Sequence, residues 1–314
     1  MRIQFWGVRG SIPTPLMPSQ IREKIAAVVG QIASADAASP EARERFLAKL
    51  PSWLYGSVGG NTACITVELD DPQELIVLDA GSGIRELGIA RARRQPKTIH
   101  YQVLFSHFHW DHLMGLPFFN PGYDPSVTMD FYSPKDGLED ALCGQMAEPY
   151  FPVPLDAMGA KKTFHTLFGP FALGTAIASY KKMKHPQDSY AYQINDGHCR
   201  FIYATDVELT SDDFYRSEEN IAFFEGANAI VLDSQYTLGE SIEKYGWGHS
   251  AFSMAVDFAA HWGIKQVFLF HHDPTYDDHK LFENLQAAKT YAEHLNFNDI
   301  VLTLATEGLE FFCK

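Results

Sequence analysis

Apolar positions along the chain fall in short runs separated by polar punctuation. Eight runs rich in β-branched and aromatic residues read as strands. They are IQFWGV from Ile3, ACITVEL from Ala63, ELIVLDAG from Glu74, HYQVLFSH from His100, RFIYATD from Arg200, AIVLDS from Ala229, QVFLFHH from Gln266 and IVLTLA from Ile300. Most lack clean alternation, the pattern of strands buried on both faces beneath covering helices. Helical spacing marks 134–147, 250–262 and 278–295. The second of these opens after Ser250, places Phe252, Val256 and Ala259 on one face, and stops before Gly263. Strands interleaved with helices predict an α/β architecture.

Residues 18–50 stand apart. One helical segment carries Ile21, Ile25, Val28, Val29 and Ile32; another begins Ser39-Pro40-Glu41, a capping serine followed by proline at the first helical position. The pair reads as a helical insertion between β-rich pieces. Surface decoration is its plainer interpretation; a lid or a dimer contact is the other.

Charge narrows the partners. With 25 basic and 39 acidic residues the net charge is −14, which disfavours a long nucleic acid because phosphate-backbone binding needs clustered Lys and Arg. A small anionic substrate stays open, since bound cations can reverse a local field. Cys64, Cys143, Cys199 and Cys313 are scattered and form no CxxC pair, so neither a thiolate metal site nor a disulfide framework is expected. The start MRIQFWGVRGSIP lacks the apolar core of an export signal, and no apolar run is long enough to span a bilayer. The expectation is a soluble, reduced, cytoplasmic protein with no membrane partner.

The chemistry concentrates in SHFHWDHLMG, Ser106 to Gly115. His107 and His109 are two apart at the end of an apolar strand, so in extended chain they point the same way. Asp111 and His112 follow where the chain must turn. Imidazole and carboxylate together suit zinc, manganese or iron, and an HxHxDH string arises by chance in roughly one chain per thousand of this composition. Further ligands must come from other strand ends: Asp206 closes FIYATD, His271 closes QVFLFH, and His185 in KKMKHP precedes a proline that ends regular structure. Each is ambiguous by itself. Asp79 closes ELIVLD and is expected to support the ligands by hydrogen bonding. Arg9, Trp110, Phe119, Tyr236 and Trp247 are weaker candidates for lining a pocket. The glycines at 59–60 and 81–83 read as tight turns, because no GK[ST] follows to make a phosphate loop.

These motifs resemble the metallo-β-lactamase superfamily, whose order is HxHxDH, His, Asp, His. The nearest likeness is to the branch of metal-dependent hydrolases similar to class II cyclic-nucleotide phosphodiesterases and ribonuclease Z. Supporting segments are GVRGSIPTP at 7–15, GGNTACI at 59–65, LDAGSGIRELG at 78–88, YATDVE at 203–208, GWGHS at 246–250 and LFHHDPTYDD at 269–278. The likeness spans the chain apart from the insertion. It implies one domain, 1–314, folded as an αββα four-layer sandwich of two mixed sheets flanked by helices.

The resemblance also implies a metal division: His107, His109 and His185 on one ion, Asp111, His112 and His271 on a second, and Asp206 bridging. His271 is preferred to His272 because neighbouring strand side chains point opposite ways. Two divalent ions are expected, zinc first, with manganese or iron as alternatives. They would hold a hydroxide for attack, with Asp111 orienting it and His249 of GWGHS assisting the leaving group; Ser250 as a helix cap is the bland reading of that histidine's segment. A small phosphodiester of cyclic-nucleotide type is the expected substrate. A lactone or thioester is the chemical alternative, and a non-catalytic metal sensor the remote one. β-Lactam cleavage fits poorly with the absent export signal, and transfer-RNA processing with the absence of a basic cluster in 113–184. A homodimer is a further expectation.

Overall fold

The computed structural model of the protein describes residues 1–313. Its strands, in chain order, are β1 (Arg2–Gly7), β2 (Cys64–Glu68), β3 (Glu74–Leu78), β4 (His100–Leu104), β5 (Thr128–Ser133), β6 (Lys161–Thr166) and β7 (Phe171–Leu173). They continue with β8 (Ala176–Met183), β9 (Ser189–Asn195), β10 (Arg200–Ala204), β11 (Ala229–Asp233), β12 (Gln266–Phe270), β13 (Val301–Leu304) and β14 (Glu310–Phe312). Two seven-stranded sheets result, in the orders β14-β1-β2-β3-β4-β5-β6 and β13-β12-β11-β10-β9-β8-β7. Both are mixed. In the first, β3 to β6 run parallel and the β14-β1-β2-β3 side is antiparallel. In the second, β10 to β13 are parallel and β7 to β10 antiparallel.

Most of the continuous apolar runs are buried on both faces, whereas β1 alternates buried with half-buried positions and β13 is only partly buried. Along β11, Ala229 and Val231 enter the core between the sheets, while Ile230 and Leu232 face the outer layer of helices. That inter-sheet core joins Phe5, Ile65 and Leu78 to Tyr203, Phe268 and Phe270. Helices Phe252–Trp262 and Asp278–His294 cover the second sheet through Val256, Ala259, Leu285 and Ala288. Helices Gly83–Arg91 and Leu138–Gln145 cover the first through Ile84, Leu87 and Leu142. The four layers are the αββα sandwich expected from the sequence.

Three departures have physical causes. The helix expected over 134–147 begins only at Leu138, because Gly137 takes a left-handed φ of 85° and stops the helix from extending backwards. Strands β5 to β9 and β14 are not among the predicted runs: β6 has no buried residue, and β8 is buried at only three of its eight positions. Their identity comes from pairing, not hydropathy. The reading of the cysteines as reduced is corrected at one pair. Cys199 and Cys313 form a disulfide with Cα atoms 5.8 Å apart; a separation of 114 residues leaves no spacing signature, and only the approach of the C-terminal strand to the start of β10 brings them together.

The insertion is helical where expected, over Pro18–Val29 and Pro40–Leu47, and Ser39 caps the second helix by accepting from the Ala42 N–H. It packs beside the last long helix, where Lys24 reaches Asp278 and the Gly56 carbonyl. Among the described residues, no helix is long and apolar enough to cross a membrane.

Candidate metal centre

The parallel strands of both sheets end at one place. Asp79 follows β3, His107 follows β4, Asp206 follows β10, Asp233 ends β11 and His271 follows β12. Several of these turns are tight enough to force left-handed backbone on residues other than glycine: Ser11 has φ 64°, Asp79 60°, Asp206 54° and His271 60°. Such strain persists where the surrounding fold over-determines it, and it gathers at functional sites. The chain beyond His109 turns into a single helical turn, Trp110–Leu113, which swings Asp111 and His112 towards His107.

All seven side chains singled out for metal binding meet here. Ligand atoms of His107, His109, His185 and Asp206 lie within 4.8 Å of one another, as do those of Asp111, His112, Asp206 and His271. Asp206 belongs to both groups. Its Oδ1 lies 3.7 Å from Nε2 of both His107 and His185, and its Oδ2 lies 3.1 Å from His112 Nε2 and 3.2 Å from His271 Nε2. Asp111 Oδ2 is 3.2 Å from His112 Nε2 and 3.3 Å from His271 Nε2, and accepts the Ser11 N–H at 2.8 Å.

Outer hydrogen bonds fix which nitrogen of each ring faces the cluster. His112 Nδ1 donates to Asp79 Oδ2 at 2.8 Å. His107 Nδ1 donates to Ser106 Oγ at 3.0 Å, and that hydroxyl donates on to Asp79. His185 Nδ1 donates to the Gly248 carbonyl at 2.9 Å. With Nδ1 protonated, each ring turns a lone pair on Nε2 inward. Glycine at 248 is required, since a Cβ would stand 2.2 Å from His185 Nδ1 on a backbone with φ 89°.

Electrostatics agree with that arrangement at His107 and His185, and also leave His109 neutral. Burial, reinforced by the adjoining His112, holds the His107 pKa well below the ordinary value, and burial lowers His109 and His185. These rings stay neutral, the form a cation needs. Burial opposes ionisation of Asp206 and Asp111, yet the surrounding imidazoles win and hold both carboxyls well below the usual range. His112, despite burial, is raised by Asp111, Asp206 and Asp79.

The residues fit a pair of divalent ions. Nε2 of His107 and of His112 is buried with no hydrogen-bond partner, an arrangement that costs on the order of 1–3 kcal/mol per group unless something accepts the lone pair. Nitrogen and carboxylate donors without sulfur suit zinc, manganese or iron.

His249 lies beside the cluster, its ring 5.0 Å from that of His271 and 5.2 Å from that of His185. Its Nδ1 donates to Asp233 Oδ2 at 2.7 Å. Burial works to lower its pKa, but the Asp233 carboxylate prevails and raises it. Ser250 does not cap the following helix; its hydroxyl accepts from the Leu209 N–H and reaches the Val207 carbonyl instead. His272 turns away from the cluster and bonds the Ala305 carbonyl at 2.8 Å.

Of the weaker candidates only Trp110 lines the cavity over the cluster, about 440 Å³, together with Ser11, Phe108, His109, Asp206 and His249. Arg9 is buried and holds the carbonyls of Gly59 and Tyr276; Phe119 packs on Tyr101; Tyr236 is buried edge-on to His249; Trp247 is exposed outside the cavity. No described residue of 18–50 lines that cavity, so a lid role for the insertion finds no support in its position. Three contributors escaped sequence reasoning. Asp233 was visible as the acid closing AIVLD, the position Asp79 and Asp206 also occupy. Glu208, which accepts the N–H groups of Gly246 and Gly248, and the Ser11 N–H carried no such signal.

Two mixed seven-stranded sheets packed face to face under helices, with a His/Asp cluster at their strand ends, define a metallo-β-lactamase fold. The beta-lactamase superfamily domain matches residues 75–272, and the chain belongs to that superfamily. Solved structures share the fold at low identity. Zn2+-bound PqqB from Methylobacterium extorquens superposes with a TM-score of 0.63 at 16% identity, covering 99% of this chain and 100% of that one. A diphosphatase of the PhnP family gives 0.61 at 15%, covering 100% and 98%. Unliganded yeast PDE1 gives 0.59 at 15%, covering 80% and 94%. No curated protein matches the chain in sequence.

Proposed function

We propose that the protein is a dinuclear metal-dependent hydrolase acting on a small phosphodiester of the cyclic-nucleotide kind. One observation carries the reading: the two oxygens of Asp206 face two separate groups of donors, three histidines on one side and Asp111, His112 and His271 on the other. His107, His109 and His185 would hold one ion, Asp111, His112 and His271 the other, and Asp206 both, with zinc the first choice for the pair. Divalent ions bound there supply acidified water and neutralise charge on the attacked group.

The chain's own residues do the rest. The Ser11 N–H pins Asp111 so that its carboxylate borders the cavity, where it orients the attacking water and receives its proton. Water adds to phosphorus, the P–O bond breaks, and the departing oxygen takes a proton. His249 is placed to give it, because Asp233 holds its Nδ1 and favours the doubly protonated ring whose other edge borders the same cavity. A phosphodiester is favoured over a neutral ester because two divalent ions held by only two carboxylates, Asp111 and Asp206, would leave a net positive centre that suits an anion inside an otherwise acidic protein.

The test pairs elemental analysis of purified protein with a panel of bis-p-nitrophenyl phosphate, cyclic nucleotides, acyl lactones and S-lactoylglutathione. Two ions per chain with diester turnover is the expected result. Turnover of lactone or thioester alone would overturn the phosphodiester assignment, and a metal-loaded protein inert across the panel would overturn catalysis.

A further inference from the structure

A second cavity, about 550 Å³, opens beside the metal cavity and shares Phe108 and Trp110 with it. Its walls come from side chains the proposed chemistry does not use. Trp110 within the HxHxDH string and Met114 and Phe118 after it form one side, and the end of helix Leu138–Gln145 with the loop beyond gives Gly144, Tyr150 and Phe151 on the other. No charged side chain lines it among the described residues. Gln145 is the polar side chain there, and its amide is already spent on the Leu113 carbonyl at 3.1 Å. Lys135 lies 5.5 Å above the Phe108 ring but is held by the Gln187 carbonyl.

The aromatic rings of this cavity are costly to leave in water. Trp110 is 77% exposed and Tyr150 78%, and Phe118 stands edge-on to Phe151 at 5.5 Å. Contiguous exposed apolar surface of this kind marks a binding site, and the volume is that of a small-molecule subsite. Continuity decides the occupant. Because the two cavities share Phe108 and Trp110, a group attached to whatever is held at His109, Asp111 and Asp206 would reach this space across those two rings.

We infer that the substrate carries a neutral, ring-sized apolar group next to its hydrolysed bond, and that the Trp110–Phe118 and Gly144–Phe151 walls select for it. The inference rests on the hydrolase reading for where the scissile group sits. It adds a substrate class that the metal cluster alone does not define: an anion with an aryl or similarly apolar substituent and no second charge.

Non-hydrolysable phosphonates test it by equilibrium binding to metal-loaded protein, read calorimetrically. Methylphosphonate, phenylphosphonate and 1-naphthylmethylphosphonate present one anionic head with an apolar group of growing size. Affinity should rise at least about tenfold from the first to the last, the gain expected for burying a ring in an apolar pocket. Gly144 lines the cavity and a Cβ there meets nothing within 4 Å, so Gly144→Leu adds apolar bulk at the cavity wall without forcing its neighbours apart. This variant should keep methylphosphonate affinity and metal content while losing the gain for the naphthyl ligand. Phe151→Ala, which removes a wall instead of filling the space, should lose the same gain.

Equal affinity along the series in the native protein, or a gain that survives in both variants, overturns the inference while leaving the hydrolase reading intact. If methylphosphonate does not bind at all, the metal reading is at fault, and neutral 1-naphthol followed by its fluorescence decides the cavity separately. Binding at least about tenfold weaker in Gly144→Leu supports an apolar subsite; equal binding overturns it.

Discussion

Asp79 offers the sharpest test of how the fold holds its cluster. It is fully buried and accepts four hydrogen bonds. Oδ1 takes the Ser106 N–H at 2.8 Å; Oδ2 takes Ser106 Oγ at 2.7 Å, and Tyr203 Oη and His112 Nδ1 at 2.8 Å each. Asn is the informative replacement, because it tolerates the left-handed φ of 60° better than other side chains and adds no backbone strain of its own. Its amide nitrogen cannot accept. Keeping the carbonyl oxygen at the Oδ2 position leaves the Ser106 N–H unsatisfied, at about 1–3 kcal/mol; the reverse orientation strands three donors and costs more. The surviving bond to His112 also loses its charge assistance, adding roughly 1 kcal/mol. We expect Asp79→Asn to lower unfolding free energy by about 2–4 kcal/mol in urea titrations of metal-free protein. Freed from its anchor, His112 should also lose orientation, weakening metal binding about 10- to 100-fold in competition with a chromophoric chelator. Tyr203→Phe is the control: it removes one donor and leaves the acceptor with three, so about 1 kcal/mol is expected with metal affinity nearly unchanged. An Asp79→Asn protein that unfolds within about 0.5 kcal/mol of the native one and binds metal normally would refute this account of the site's scaffold.

Three other outcomes follow from the same geometry. Asp206→Ala removes the one group facing both donor sets, and should reduce metal from two ions per chain to one or none by elemental analysis; retention of both would sink the bridging role. His249→Ala should leave metal content unchanged and cut diester turnover about a hundredfold or more, whereas loss of metal would recast His249 as a ligand. Far from the cluster, Glu68 accepts from Arg2 at 2.9 Å and Arg94 at 2.7 Å and pairs with Arg91. Burial pushes its carboxyl up, but the three guanidinium groups overcome this and bring it down to about 2. A folded-state pKa below the unfolded one means the contribution is complete above the unfolded value near 4.3 and fades as pH falls towards about 2. Glu68→Gln should therefore cost up to about 3 kcal/mol at neutral pH. The gap from native protein should fall to roughly half by about pH 3 in urea titrations and nearly close towards about pH 2; a gap independent of pH would contradict the ion-pair origin.

The share of this protein that its sequence determined is the share written in local patterns. Buried strands need apolar residues on both faces, so β1 to β4 and β10 to β13 announced themselves as runs. The HxHxDH string was legible because four of its ligands sit within six residues at one strand end. The insertion showed its second helix through Ser39 and Pro40, a cap that acts within a single turn. Asp79, Asp206 and His271 could be picked from their position at strand ends, and Asp233 could have been picked by the same rule.

What the tertiary structure decided is whatever depends on distant segments meeting. Strands β6 to β8 are only partly buried and β9, though mostly buried, carries Ser, Gln and Asn among its apolar residues, so register with their neighbours identifies them where hydropathy does not. Cys199 and Cys313 pair across 114 residues with no local signal. The Ser11 N–H and the Glu208 clamp reach the site only because β1 and the 246–249 loop converge on it. Likewise, Phe118 and Phe151 look like ordinary packing residues until the turn after the histidines faces the helix ending at Gln145. A residue type and its immediate neighbours fix its preferences; its partners are fixed by chain closure, which local sequence does not encode.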